Sequence, residues 1–81
     1  MKEYKRTKVK NTSDLMICHK NVYEYDSETS SKRITDSVFE LISISELLVI
    51  KTYESIFDAL MEMHTRQRSI NKSALNRARA F

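Results

Sequence analysis

At 81 residues and a formal net charge of +3, the chain makes one small domain, 1–81, with a thin core, since a domain of this size buries only about 60% of its unfolded surface. Its single cysteine, Cys18, excludes an internal disulfide. With His19 and His64 it lacks the paired spacing of a structural zinc site, so no metal and no cofactor are expected. Glycine and proline are both absent, which excludes Walker-type and Rossmann-type phosphate loops and leaves any turn needing positive φ to Asn or Asp.

The first segment, residues 1–10, is basic, with Lys2, Lys5, Arg6, Lys8 and Lys10 against Glu3 alone. Its loose alternation predicts an exposed edge strand guarded by lysines. No apolar stretch of signal-peptide or membrane-spanning length follows, the longest strongly apolar run being Leu47-Leu48-Val49-Ile50, so the expected setting is soluble and cytoplasmic. Residues 14–25 hold the β-branched and aromatic side chains of a strand, with a bend expected at His19-Lys20-Asn21. The polar run 27–33, SETSSKR, reads as a loop.

Residues 34–53 carry two conflicting patterns. Ser37-Val-Phe-Glu40 spells a capping box, and Val38, Leu41, Ile42, Ser45, Leu48 and Val49 recur at helical spacing. Against this, Ile42-Ser43-Ile44-Ser45 alternates, and LLVIKTY is rich in strand formers. Two strands, about 33–44 and 47–53, are the preferred reading; a mostly helical chain from residue 37 onward is the alternative.

Ser55-Ile-Phe-Asp58 then opens a helix, with Ile56, Ala59, Leu60 and Met63 on one face to seal a sheet. Glu62 and Arg66 stand four apart in the favourable orientation. The helix is expected over about 56–69, and then either continues or restarts after Asn71. The predicted fold is α+β, a small antiparallel sheet of three or four strands covered by this helix, with a basic terminal helix.

Residues 66–81, RQRSINKSALNRARAF, form a basic C-terminal segment without a single acid. The chain is basic at both ends, net +4 over 1–10 and +5 over 63–81, around a middle of −6. On a helical wheel Ile70, Ala74, Ala78 and Phe81 form an apolar stripe, with Arg68, Lys72 and Arg79 opposite and Leu75 among them.

Such rows of cations suit a nucleic-acid backbone, so Lys5, Arg6, Lys8, Arg66, Arg68, Lys72, Arg77 and Arg79 are candidate contacts, with Tyr4 as a stacking residue among cations. A shared site further requires that both ends fall on one side of the fold. Tyr23 and Tyr25 fit ordinary sheet packing. Phe57 and Met61 form a candidate protein-contact patch, the preferred alternative being that they pack against the terminal helix or a second copy of the chain. No RNP-like pattern, GXXG loop or zinc-finger spacing supports reading of base sequence.

Catalysis is not expected. Cys18 and His19 are adjacent on a strand and point to opposite faces. Glu24, Asp26 and Glu28 read as a solvated acidic edge. The expected function is therefore stoichiometric binding of RNA, ahead of DNA, or of a nucleoprotein complex. The size and composition also fit a phage-type inhibitor or regulator of a host nucleic-acid enzyme. The competing expectation is a protein–protein module using the acidic middle or the Phe57–Met61 patch, and the thin core makes self-association a natural supplement.

Overall fold

Alternation of apolar and polar side chains governs the first two thirds of the chain, and it builds a meander. A computed structural model describes residues 2–79, with side chains through residue 78. Strands β1 (Lys2–Asn11), β2 (Leu15–Asp26), β3 (Ser31–Ser43) and β4 (Leu48–Tyr53) pair antiparallel in the order β1-β2-β3-β4, and α1 (Ile56–Arg79) follows. The fold is α+β.

Register fixes which residues share a face, because paired residues point the same way and neighbours along a strand point apart. Ile17 lies opposite Leu41, and His19 opposite Phe39, which in turn faces Tyr53. These residues form the face that α1 covers. Cys18 lies opposite both Lys8 and Glu40, and Lys20 opposite both Arg6 and Val38. They form a second face that carries no helix.

The first half of α1 closes the core. Ser55 Oγ accepts the Phe57 N–H at 3.2 Å and caps the helix, and Asp58 in the first turn meets the positive end of its dipole. Ala59 and Met63 are fully buried against Leu15, Ile17 and Leu41, while Phe39, Ile50, Tyr53, Ile56 and Leu60 pack around them. Each large side chain buried here contributes about 1.5–3 kcal/mol. The helix lies on β2, β3 and β4 and makes no close approach to β1 among the described residues.

A polar latch ends this docked stretch. Gln67, 9% exposed, accepts hydrogen bonds from the Thr12 hydroxyl and the Asp14 N–H through Oε1, and donates from Nε2 to Asp14 and Asn71. Thr12 and Asp14 belong to the β1–β2 turn, so everything after Gln67 runs past the end of the sheet. Residues 68–78 are all exposed. The molecule is accordingly long, 66 × 22 × 15 Å, with a radius of gyration of 17.0 Å where a compact chain of this length would have about 12 Å.

Several expectations need correction. The helical alternative from residue 37 is not adopted. Phe39 and Leu41 are needed on one face and Glu40 and Ile42 on the other, and the would-be cap Ser37 bonds His19 instead. The strands run 31–43 and 48–53, so the 27–33 loop shrinks to a four-residue turn at 27–30. Of the two courses open to the terminal segment it takes the first, α1 continuing unbroken through Asn71 to Arg79.

The expected bend at His19–Asn21 is displaced too. The irregularities fall at Val22/Tyr23 against β3, and at Lys8/Lys10 in β1. Positive φ falls on Ser30 (54°) and Leu47 (53°) rather than on Asn or Asp. For Leu47 this conformation costs about 1–2 kcal/mol. Side chains stabilise both turns, Asp26 Oδ1 accepting the Glu28 N–H and Ser43 Oγ accepting the Glu46 N–H.

Candidate nucleic-acid interface

Continuity of α1 changes how the candidate residues relate to one another. At 100° per residue, Phe57, Met61, Arg68, Lys72, Leu75 and Arg79 fall within about 60° of one another. Those described with their side chains, Phe57, Met61, Arg68, Lys72 and Leu75, form one stripe along the helix, turned away from the sheet. Phe57 and Met61 are 73% and 70% exposed, and Arg68, Lys72 and Leu75 are exposed as well. The apolar patch and the cation row, expected as separate features, are thus the two ends of a single surface. The side chain of Arg79 and all of Phe81 lie outside the described residues.

Facing the other way, Ile70, Ala74 and Ala78 prolong the core stripe of Ala59 and Met63 beyond the sheet. Arg77 is turned toward this side. It borders a groove with Ile70, Glu46 and Asp14 beside the turns. Arg66 is engaged as well, its Nε donating to Glu62 at 2.7 Å. Neither belongs to the outer stripe. Arg68, Lys72 and Arg77 form no ion pair among the described residues, where the pairs are Arg6–Glu40, Lys32–Glu3 and Arg66–Glu62.

The N-terminal candidates are sorted by the pleat of β1. Tyr4, Arg6 and Lys8, together with Lys2, project from the helix-free face, whereas Lys5 projects from the helix side. Arg6 is anchored there, its Nε donating to Glu40 Oε1 at 2.7 Å, with Glu40 itself 3% exposed. The hydrogen bond and charge of Glu40 hold the guanidinium above its ordinary range. Lys20 joins from β2, its Nζ 4.8 Å from the centre of the Tyr4 ring. Tyr4 remains 61% exposed.

Strand direction separates only part of the basic N-terminal segment from the tail. Lys2 pairs with Glu24 toward the β2–β3 turn, while the tail leaves past the β1–β2 turn at the opposite end, near Lys8 and Lys10. Tyr4, Arg6 and Lys8 project from the helix-free face, whereas α1 lies on the other.

The remaining candidates resolve into packing. Cys18 is buried on the helix-free face, where burial first and the charge of Glu40 second push its thiol up. His19, on the other face, stacks on Phe39 at 4.5 Å and bonds Ser37 Oγ through Nε2 at 2.6 Å. This histidine–serine pair stands on an open sheet, with no third group among its described hydrogen bonds. Tyr23 and Tyr25 flank the Lys32–Glu3 pair on the helix side of the sheet.

Among the described residues, no group of His, Cys, Asp and Glu converges on a metal-sized site. No described helix is long and apolar enough to cross a membrane.

Three residues that matter here escaped sequence reasoning. Lys20 and Glu40 become visible only once β1, β2 and β3 are in register, since each sits far along the chain from Arg6. Gln67 was readable as a break in the apolar stripe of α1, though nothing in the sequence pointed to the turn it grips. No family model matches the chain, and neither does any curated protein or solved structure.

Proposed function

We propose that this chain is a non-enzymatic binding protein whose projecting half-helix grips nucleic acid through backbone phosphates. One observation carries the reading: residues 68–78 are all exposed, and Arg68, Lys72 and Arg77 form no ion pair there among the described residues. Cations left uncompensated on a projecting helix are the form that releases counterions from a phosphate backbone. An α-helix of this diameter also fits the major groove of B-form DNA, and along RNA it can track an exposed strand. Sequence reading is not part of the proposal, because cations neutralising backbone phosphates bind any sequence alike. A stoichiometric regulator of a nucleic-acid enzyme would use such a surface well.

The test is affinity against salt for a labelled strand and a labelled duplex, using the chain and its Arg68→Ala, Lys72→Ala, Arg79→Ala variant. Duplex binding that is strong at low salt, falls steeply with salt and is lost in the variant supports the proposal. Duplex binding indifferent to the three changes overturns it.

A second reading has its own observation, the exposure of Phe57 and Met61 on the same stripe. A protein partner with an apolar patch beside acids would match it from end to end. Phe57→Ala with Met61→Ala separates the two. It removes a protein interface and leaves phosphate binding nearly unchanged.

A further inference from the structure

The geometry points to a second binding site, on the helix-free face of the sheet around Arg6, that takes a single strand of nucleic acid. It shares its ligand class with the function proposed above but none of its residues, so either can fail alone. Lys2, Tyr4, Arg6 and Lys8 project from this face of β1 in succession, about 6.8 Å apart. Lys20 lies beside them on β2. The acids Glu24 and Asp36 lie toward the β2–β3 turn, so the cationic stretch begins at Tyr4 and runs along β1 and β2.

Glu40 is the feature that marks a site. A carboxylate buried on a sheet face that no helix covers is costly, and an apolar side chain there would stabilise the sheet at least as well. What Glu40 provides is a fixed guanidinium. It takes the Arg6 Nε, and the terminal amino groups of Arg6 make no described hydrogen bond, while the side chain stays 52% exposed. A planar fork held by one edge and open at the other matches two phosphate oxygens. Glu40 is thus a positioning residue.

Tyr4 identifies the form of nucleic acid. Its ring is exposed, with Lys20 close by, and an aromatic among phosphate-binding cations stacks on a base. Duplex bases are already stacked, so the ligand is a single strand.

The experiment uses the full chain with Arg68, Lys72, Arg77 and Arg79 changed to Ala, which silences the tail, and a fluorescein-labelled oligouridine of about 12 nucleotides, a length within the range one small single-strand site covers. Anisotropy at low salt should still report binding. Tyr4→Ala should weaken it about 5- to 150-fold, the range that stacking on one base implies. Lys5→Ala, on the opposite face, should cost less than Lys20→Ala.

Glu40→Gln is the sharpest arm. General electrostatics predicts tighter binding when an acid is removed, whereas positioning of Arg6 predicts weaker binding; circular dichroism would confirm that the variant is folded. Loss of all binding in the tail-silenced chain, with the parent chain binding, would overturn this site and leave the tail reading standing. So would oligouridine affinity unchanged by Tyr4→Ala. Undiminished binding in the tail-silenced chain, abolished by Tyr4→Ala, would support this site and remove the tail reading.

Discussion

The two halves of α1 have similar lengths and opposite fates. Residues 56–67 bury Ala59 and Met63 and end on the Gln67 latch, whereas residues 68–78 contain no buried side chain. Their sequences explain the difference only in part. The inward stripe of the second half, Ile70, Ala74 and Ala78, continues the phase of the first, so amphipathicity alone would dock both. The sheet ends at the β1–β2 and β3–β4 turns, and the stripe meets only the open groove that Ile70 and Arg77 share with Asp14 and Glu46. What distinguishes the second half is charge, since Asp58 and Glu62 lie in the first half and no acid follows. One half holds the fold together; the other is free to bind.

Breaking the docked half should have the largest effect. Met63→Ala should cost about 2–5 kcal/mol, much of the stability of a chain with so thin a core, and urea denaturation would measure it. Gln67→Ala should cost about 1–3 kcal/mol, because it strips partners from Thr12 and the Asp14 N–H. It should also raise amide exchange in the β1–β2 turn.

In the projecting half, Ala74→Gly should lower helical circular dichroism and speed exchange over 68–79, with a local penalty of about 1 kcal/mol. The urea midpoint should stay put, since that half contributes nothing to the core. A destabilisation as large as that of Met63→Ala would show that the tail is docked after all.

A smaller effect concerns pH. Burial pushes the Cys18 thiol up, so as pH rises through the ordinary thiol range the unfolded chain loses its proton first. Stability contributed by the protonated thiol is present below the unfolded value and is lost as pH rises toward the folded one. Denaturation at neutral pH and again about one unit above the ordinary thiol value should show a decline that is shallower in Cys18→Ala. An identical decline in that variant would assign it to other groups.

Much of this was legible in the sequence. Two strands over 33–53, the helix start at Ser55 and the Glu62–Arg66 pair follow from period and capping, whereas the exposure of Phe57 and Met61 does not, since packing is the stronger expectation for that pair. The rest depended on partners distant along the chain. The alternative helix over 37–50 could be dismissed only when Ser37 found His19 and Phe39 found Tyr53. The placement of the basic ends was hidden for the same reason, since strand direction and the helix's exit set where each cation lies. Ser30 and Leu47 at positive φ were illegible because in this chain, free of Gly and Pro, the hairpins impose the turn and side-chain hydrogen bonds support it.

The most direct test of the central claim, that the free half of α1 binds nucleic acid by its cations, is the salt dependence of affinity. Log affinity against log salt for a labelled duplex should be steep for the parent chain. It should flatten by about 0.9 for each phosphate no longer neutralised when Arg68, Lys72 and Arg79 become Ala. An unchanged slope in that variant, with binding intact, would contradict the account.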